Sequence, residues 1–581
     1  MHLIIAEKPS VGRSIASVLG VKQRKDGYFE GNGYLVSWCI GHLVGLVDAS
    51  KYDEKYAKWQ REHLPIIPET WKYSVFDNKQ AQFNTIRKLM GRSDVENIIC
   101  ATDAGREGEL IFRLVYDMAG CKKPILRLWI SSMETAAIRK GFENLQDGKD
   151  FDALYESALC RAKADWLIGI NATRLYSAIH GKTLNVGRVQ SPTLAMIVDR
   201  QQKITGFSKE KYHLVRAVFD GIEALSEQIP QSEKAENIKA TCNGKKTTCI
   251  SLITERKTVA PPKLFDLTSL QRECNRLFGL TAKQTLDTAQ TLYERKLITY
   301  PRTDSRFLTS DMAESVTANV PTVCSFLGLT EATANTPQVI SDKKVTDHHA
   351  IIPTAEVEKL NLAGLDNTAQ KVLLLISTRF ISALADRQEC DSITAVFECE
   401  GHTFTTSGRV THSDGWKTFD SHFRKLLGFT EKSADKEDVL PKIAEGQTFD
   451  GTQVSVTEHF TKPPAPFTED TLLSAMERAG VEDTDKEAER RGLGTPATRA
   501  AIIENLVTKG FVERKGKQLL PTANGAHLVK VLPDSLTSAT LTAEWENQLT
   551  LIAANKMPPQ EFMGRIETMV HSLVKIGSDG K

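Results

Sequence analysis

A tyrosine, an arginine and three small oxygen-bearing side chains stand within six positions, 300–305, of the stretch LITYPRTDS, residues 297–305. A tyrosine can act as a nucleophile towards phosphorus and form a covalent intermediate. Its ordinary pKa of about 10 makes the phenol a weak nucleophile unless cationic groups stabilise the phenolate. Arg302 follows Tyr300 closely enough to bind the phosphate under attack. The stretch also fits a plainer structure, a strand (LIT) and a turn in which Asp304 and Ser305 bond their own backbone.

Acidic residues follow two apolar runs in the first part of the sequence. Glu7 ends HLIIAE, Asp103 ends NIICATD, and Glu107 stands just beyond. Ligands of parallel α/β sheets collect at the carboxyl ends of the strands, so neighbouring strands would bring the three acids together. Clustered carboxylates need a cation, and oxygen ligands favour Mg²⁺, with Lys8 facing any anion that the metal holds. The alternative is that Glu107 pairs with a nearby arginine on a solvated helix.

The elements that would position these acids alternate between strand and helix. HLIIAE precedes a helical pattern for which Ser10 is a possible N-cap, and NIICATD precedes a second helix that ends at Gly120. KPILRLWIS is a third apolar strand. Such repetition predicts a mainly parallel sheet with helices on both faces.

Further along the chain, helical and β patterns alternate in longer blocks. Residues 151–211 are predicted to be helical, and short β segments with Gly and Asn breaks fill 212–265 and 388–460. A helical block that contains Tyr300 separates the two β regions, which indicates a discontinuous domain. After KPPAPF the pattern becomes helical again, and EKSADKED (431–438) is predicted to be a mobile loop.

Composition limits the class of protein. The 581 residues, 41% hydrophobic and 25% charged, predict a soluble globular chain of several domains. No apolar run reaches the length of a membrane span, and an acid at position 7 argues against a signal peptide, so we expect a cytoplasmic protein. The cysteines form no CxxC pair, which disfavours a zinc ribbon or a redox motif.

The net charge of +1 neither favours nor excludes a polyanionic partner, but the basic residues are unevenly distributed. Residues 161–210 contain eight Lys or Arg against three acids, and residues 490–517 contain seven against two. Each patch could be a solvated helical face. Two such patches in a near-neutral chain favour a nucleic-acid surface.

The acidic motifs resemble those of the Toprim fold, which topoisomerases, primases and some nucleases share. AEKPS (6–10) and ATDAGREGE (101–109) carry the resemblance. It implies that Glu7, Asp103 and Glu107 hold Mg²⁺. The sequence departs from the family's DxDxE group because Gly105 stands at the middle position, which favours a single ion or weaker binding over a two-metal arrangement. Glu109 is a candidate to compensate for the missing acid.

Further segments resemble type IA DNA topoisomerases, in the order expected of that family. LITYPRTDS is similar to the active-site signature, DHHAIIPT (347–354) to a segment that would make His348 the phosphate-contacting histidine, and GLGTPATRAAIIENLVTKGFVERKGKQLLPT to a helix with a basic hairpin. AEKPS favours the topoisomerase III branch. DWLIGINATRLYSA and GRVQSPTLAMIVDR resemble the segment that follows single-stranded DNA. The resemblance implies these DNA-binding residues: Arg161, Asp165, Arg188, Gln190, Ser191, Thr495 and Arg499.

The resemblance also implies a fold class and a domain division. We expect a multidomain α/β and α+β protein in which an N-terminal Toprim (Rossmann-like) domain, helical domains and β domains form a toroid. The expected parts are a Toprim domain at 1–150, a helical DNA-binding domain at 151–211, a β-rich gate domain at 212–265, a helical domain carrying the tyrosine at 266–387, the second part of the gate domain at 388–460 and a winged-helix-like second part of the DNA-binding domain at 461–581.

The implied activity is ATP-independent DNA strand passage through a 5′-phosphotyrosine on Tyr300, with Glu7, Lys8, Arg302 and His348 as further catalytic residues. We expect a monomer that relaxes negative supercoils and decatenates DNA. Its substrates would be single-stranded and underwound duplex DNA, and the sequence does not reveal whether a helicase is a partner. HGKTL and NGKKT are not nucleotide-binding loops, because each lacks the first glycine of that motif. The alternative is a Mg²⁺-dependent Toprim nuclease or primase, which would not need Tyr300.

Overall fold

The computed structural model describes residues 1–131, 133, 135–345, 347–429, 440–441, 443–482 and 492–579. The predicted loop at 431–438 lies outside these ranges. Within them, no helix is long and apolar enough to cross a membrane.

The first 150 residues alternate between strands and helices, as the sequence predicts. Their elements are β1 (His2–Ala6), α1 (Pro9–Val18), β2 (Gln23–Lys25), β3 (Tyr28–Gly31), β4 (Tyr34–Trp38), β5 (Val44–Leu46), β6 (Tyr73–Val75), α2 (Gln80–Met90), β7 (Asn97–Ala101), α3 (Arg106–Met118), β8 (Ile125–Arg127), α4 (Thr135–Glu143) and β9 (Gln146–Asp147). Seven strands form one sheet in the order β2-β3-β4-β1-β7-β8-β9, and β5 pairs with β6.

The centre of this sheet is parallel, which determines where the acidic residues lie. β1 pairs in parallel with β7, and Ala6 is opposite Ala101. Leu3, Ile4 and Ile5 are fully buried, as expected of a strand with helices over both faces. Because the two strands end at the same edge, the residues that follow them are neighbours.

The start of α1 differs from the prediction. Ser10 is not the N-cap, because the helix begins at Pro9 and Lys8 occupies the cap position with extended backbone. A proline at the first helical position has its φ already set and lacks only an N–H that would have no helical partner. The helix therefore starts before the serine and brings Lys8 to the end of β1.

Two long helices follow, α5 (Asp152–His180) and α6 (Gln190–Thr205). A second large sheet then uses strands from both β-rich parts of the chain: β10 (Lys211–Phe219), β11 (Ile222–Leu225), β12 (Thr247–Val259), β13 (Gln388–Cys399), β14 (His402–Ser413), β15 (Thr448–Phe449) and β16 (Gln453–Phe460), with helices α7 (Ser232–Cys242) and α12 (Lys417–Leu426). Their order is β15-β12-β13-β14-β11-β10-β16, and every pairing is antiparallel.

Along the sequence, the tyrosine-bearing region separates strands β10–β12 from strands β13–β16 of this sheet. Its helices are α8 (Leu267–Phe278), α9 (Ala282–Glu294), α10 (Ala313–Leu327) and α11 (Asn367–Leu384), and they enclose a separate apolar core. The predicted strand LIT is wrong, because Ile298 makes only an isolated bridge with Pro353. A proline has no N–H with which to continue a ladder.

The C-terminal part is mainly helical. Its elements are β17 (Phe467–Thr468), α13 (Glu469–Arg478), α14 (Pro496–Thr508), β18 (Val512–Lys515), β19 (Gln518–Pro521), α15 (Ala523–Val531), α16 (Asp534–Thr537), α17 (Thr540–Ala553) and α18 (Pro559–Asp579). The predicted helix and hairpin are confirmed, and β19 lies between β17 and β18. α17 and α18 pack against α5, which joins this part of the chain to the first helical part.

Candidate active site

Glu7, Lys8 and Asp103 meet at the carboxyl edge of the first sheet. The backbone N–H of Asp103 donates to Glu7 Oε2 at 3.1 Å. Lys8 Nζ lies 2.8 Å from Asp103 Oδ2 and 3.5 Å from Glu7 Oε1. Of the three acids expected to converge, Glu7 and Asp103 therefore lie side by side with an ammonium group between them, but Glu107 does not complete a metal-binding group of three among the described residues.

A buried arginine at the end of β8 holds the backbone that carries Asp103. Arg127 is 1% exposed, and its guanidinium donates to the carbonyl oxygens of Thr102 at 2.8 Å and of Asp103 at 2.7 Å. Arg127 Nε also lies 2.6 Å from Glu109 Oε1. Glu109 is buried in this ion pair, so it does not replace the acid that is missing at Gly105.

The small oxygen-bearing residues of LITYPRTDS fasten the tyrosine segment to the segment that contains His348. Thr299 Oγ1 donates to the carbonyl of Ala350 at 3.1 Å, and Thr303 Oγ1 donates to the carbonyl of His348 at 2.7 Å. Ser305 Oγ donates to the carbonyl of Lys344 at 2.8 Å. These bonds hold the segment of Tyr300 against the segment of His348, and the role of Tyr300 as a nucleophile stays a prediction.

Tyr300 lies directly over the acidic edge of the first sheet. Lys8 Nζ is 3.6 Å from the centroid of the tyrosine ring, a cation–π contact. The His348 ring packs edge-on against Tyr300 with centroids 4.6 Å apart, and His348 Nε2 donates to Asp103 Oδ2 at 2.8 Å. The Tyr293 ring is 5.3 Å from Tyr300 on another side. Two distant parts of the chain therefore share one polar cluster.

The same contacts shift the acidity of each group. Burial and the neighbouring Asp103 carboxylate raise the pKa of Glu7 to about 7. Burial alone would raise the pKa of Asp103, but His348 and Lys8 outweigh it and hold that pKa well below its usual range. Burial raises the pKa of Tyr300, and Lys8 and Arg302 oppose that increase. Near neutral pH the site therefore contains an ionised Asp103 beside a partly protonated Glu7.

Glu107 lies at the start of α3 and faces two basic residues. His42 Nε2 donates to Glu107 Oε1 at 2.8 Å, and Arg161 forms an ion pair with Glu107 Oε2. The Arg161 side chain reaches Glu107 from α5. Both partners come from outside α3, unlike the alternative in which Glu107 pairs with an arginine of its own helix.

A cavity of about 700 Å³ opens beside these groups. Arg302 lines it, and the Arg302 side chain is exposed and has no hydrogen-bond or ion-pair partner among the residues that the structure describes. Its guanidinium is thus available to an anion that enters the cavity next to Tyr300.

The residues expected to bind DNA fall into two groups. Arg161, Asp165, Arg188 and Thr495 line the cavity. Gln190, Ser191 and Arg499 do not line it. Gln190 Nε2 is 3.5 Å from the Asn185 carbonyl, and the buried Ser191 Oγ accepts from Gly187 N–H. Arg499 is buried and donates to Thr268 Oγ1 and to the Leu493 carbonyl. Burial alone does not separate these two groups, because Arg188 lines the cavity although it is buried.

The donor set fits a divalent cation that prefers oxygen. Glu7, Asp103 and Glu107 offer only carboxylate oxygens, and the Lys8 ammonium between Glu7 and Asp103 shows that the edge accepts positive charge. In the described ranges no three His, Cys, Asp or Glu side chains are already close enough to hold a metal ion. The carboxylates are instead engaged by Lys8, His348, His42 and Arg161.

Several residues of the site were not identified from the sequence. They are His42, Asp347, Tyr293 and Arg127. Two of them had a usable signal: His42 follows β4, which ends at the same edge as β1, and Asp347 directly precedes His348. Tyr293 and Arg127 depend on packing between distant segments and left no local pattern.

Comparison with known proteins gives consistent matches along the chain. A family model described as DNA topoisomerase matches residues 149–564, and one described as Toprim domain matches residues 2–133. DNA topoisomerase 3 of Bacillus subtilis (strain 168) is 40% identical over 603 residues, which cover 99% of this chain and 81% of that protein. DNA topoisomerase 3 of Staphylococcus saprophyticus is 37% identical over 593 residues, 98% of this chain and 81% of that protein.

A solved structure, full-length topoisomerase I from Thermotoga maritima, matches with a TM-score of 0.72. The match covers 98% of this chain and 90% of that one, at 23% sequence identity. At that identity the likeness concerns the fold alone, and it agrees with the expected toroidal arrangement of a Toprim domain with helical and β domains.

Proposed function

The chain belongs to the DNA topoisomerase family, and from this premise we propose that it cleaves one DNA strand with Tyr300, passes a strand through the break and reseals it. The observation that carries the proposal is the position of the Tyr300 ring, 3.6 Å from the ammonium of Lys8, which itself lies 2.8 Å from Asp103. A phenol held at a cationic and acidic cluster beside an open cavity is suited to attack on a phosphodiester.

In the proposed cleavage, the Tyr300 hydroxyl releases its proton to solvent in the open cavity as its oxygen forms a bond to phosphorus, and the bond between phosphorus and the 3′ oxygen breaks. Glu7 donates its proton to that leaving oxygen as a general acid. Lys8, Arg302 and His348 stabilise the negative charge that develops on the phosphate. The products are a 5′-phosphotyrosine and a free 3′ hydroxyl, and resealing follows the same path in reverse.

Mg²⁺ is the cation we propose for Asp103 and Glu107, with Glu7 as a further ligand only after it has given its proton to the 3′ oxygen, and when bound it would supply positive charge beside the 3′ end. The domain division expected from the sequence is also part of the proposal. The part that carries Tyr300 (266–387) would move away from the Toprim part (1–150) while a strand passes, and return for resealing. The remaining expectations are that the protein acts as a monomer, on single-stranded and underwound DNA, by relaxation and decatenation.

ATP is not required in this scheme, because the phosphotyrosine conserves the energy of the broken bond. A Toprim nuclease or primase would use the same carboxylates but would leave Tyr300 without a role. The two classes differ in whether DNA becomes covalently attached to the protein.

The experiment that tests the proposal traps the cleaved complex. Single-stranded DNA labelled at one end or the other is incubated with the full-length protein and Mg²⁺, denatured rapidly and separated by size. We expect the protein to carry the fragment on the 3′ side of the break, through its 5′ phosphate. Cut DNA without any attached protein would instead support the nuclease.

Arg302 provides a second prediction. Arg302→Ala removes the exposed guanidinium beside Tyr300, and we expect the cleavage rate to fall by about 10²–10³, as when one donor to a developing anion is lost. Single-turnover formation of the covalent complex measures this loss. Arg302→Lys keeps the charge but not the planar fork, so it should recover only part of the rate. Unchanged cleavage by Arg302→Ala would remove this residue from the mechanism.

A further inference from the structure

Gly105 stands where the acidic segment turns into α3. Its φ of −170° is extended backbone, which any residue adopts, so the conformation does not require glycine. A Cβ at this position would lie 2.6 Å from Oδ1 of Asp347 and 3.0 Å from its Cγ and Oδ2. A side chain at position 105 would therefore require the Asp347 carboxylate, which fills that space, to move.

Asp347 reaches this place from the tyrosine-bearing region. Its neighbour His348 bonds to Asp103 Oδ2, and the His348 carbonyl accepts from Thr303 Oγ1. The segment is thus held on one side by LITYPRTDS and on the other by the sheet edge. Asp347 is half-buried and lines the same cavity as Glu7, Asp103 and Glu107.

We propose that Asp347 supplies the carboxylate that position 105 lacks and acts as a ligand of the divalent cation at Asp103 and Glu107. This inference rests on the proposed function only in taking that acidic edge as the cation site. The donor set is then built from two parts of the chain, the Toprim sheet and the tyrosine-bearing region, and it is complete only while they are docked.

The consequence is a coupling between cation binding and the state in which the tyrosine-bearing region is docked on the Toprim sheet. A cation that binds more tightly when Asp347 is present favours the docked arrangement by the same factor. Opening of the protein would remove Asp347, His348 and Tyr300 from the sheet edge together. The cation would therefore help to keep the broken strand ends together until the parts separate.

A carboxylate near the first turn of a helix can also stabilise that helix, here α3. This simpler role predicts an effect of Asp347 on stability but none on cation affinity. The two roles are separated by measuring Mn²⁺ binding and thermal unfolding on the same variants.

The test titrates Mn²⁺ into the full-length protein without DNA and follows free Mn²⁺ by electron paramagnetic resonance. We expect Asp347→Asn to weaken Mn²⁺ binding by at least about tenfold, because loss of even an outer-shell partner of a metal ligand typically costs about 10–100-fold. The matched control is Asp342→Asn in the same segment. Asp342 Oδ1 accepts from Ser310 N–H, a bond that asparagine can keep, so this variant should bind Mn²⁺ normally.

The decisive variant moves the carboxylate across the interface. Asp347→Ala removes the atoms that obstruct position 105, so Gly105→Asp combined with Asp347→Ala should recover most of the lost affinity. Gly105→Asp alone should not increase affinity, because the new side chain collides with Asp347. Recovery of Mn²⁺ affinity when the carboxylate moves from position 347 to position 105 would support one ligand position that either side chain can fill.

Two results would overturn the proposal. One is normal Mn²⁺ affinity in Asp347→Asn with a lower unfolding temperature, which would leave Asp347 as a partner of α3. The other is a wild-type protein that binds no Mn²⁺. Neither result bears on the covalent complex with Tyr300, which is scored separately by the DNA trap, so failure here and failure of the proposed function are distinguishable.

Discussion

Tyr300→Phe is expected to abolish the covalent complex with DNA and to lower strand cleavage by at least about a thousandfold. Phenylalanine keeps the ring that packs against Lys8, His348 and Tyr293 and removes only the oxygen. The fold and the cation–π contact should therefore persist, and the loss would report on the nucleophile. The measurement is the fraction of labelled single-stranded DNA that remains attached to protein after denaturation.

Tyr293→Phe is the matched control for this prediction. Tyr293 lies 5.3 Å from Tyr300, and its hydroxyl donates to Ser10 Oγ at 3.2 Å. Its removal should cost a hydrogen bond and leave covalent attachment intact. If Tyr300→Phe still forms the adduct while Tyr293→Phe loses it, Tyr293 and not Tyr300 is the nucleophile. Cleavage without attachment in both variants would favour a nuclease.

Burial raises the pKa of Tyr300, which makes the oxygen a poorer nucleophile in this arrangement. Lys8 and Arg302 act in the opposite direction, and Lys8 is at present shared with Asp103 and Glu7. A bound phosphate would add negative charge to the same cluster. Activation of Tyr300 therefore depends on whether Lys8 and Arg302 pair with the carboxylates or with the phosphate. Substitution of the carboxylates would alter that balance.

The sequence was sufficient to predict much of the first sheet and its acidic edge. Strand–helix alternation predicted β1 and β7, and the rule for parallel sheets predicted that Glu7 and Asp103 would meet there. These conclusions depend on local patterns of apolar residues, which can be recognised in a single sequence. The association of Tyr300 and His348 with that edge came from resemblance, since no local pattern connects residues so far apart.

Other features could not be predicted because they depend on contacts between distant segments. Asp347 could be suspected from its place beside His348, but its contact with the space above Gly105 is visible only in the structure. Ser191 and Arg499 belong to basic, helical stretches, yet both are buried against protein atoms. Ser10 was misassigned because Pro9 allowed α1 to begin earlier.

Glu7→Gln is expected to lower the cleavage rate by about 10²–10⁴, the usual contribution of a general acid. The pKa of Glu7 is raised to about 7 by burial and by Asp103, so about half of the side chains carry the proton near neutral pH. Above that pH the protonated fraction falls, and wild-type cleavage should fall with it. Glu7→Gln should lose this decline with increasing pH, because glutamine does not titrate.

The rate alone would not separate proton donation from a structural role, since Glu7 also accepts the N–H of Asp103. Glutamine can keep that bond through its carbonyl oxygen, and a substrate with sulfur in place of the 3′ oxygen makes the distinction. A thiolate leaves without needing a proton, so general-acid catalysis predicts that Glu7→Gln approaches the wild-type rate on this substrate. An equal deficit on the oxygen and sulfur substrates would show that Glu7 only positions Asp103. Recovery on sulfur, together with loss of the pH-dependent decline, would assign the transferred proton to the Glu7 carboxyl.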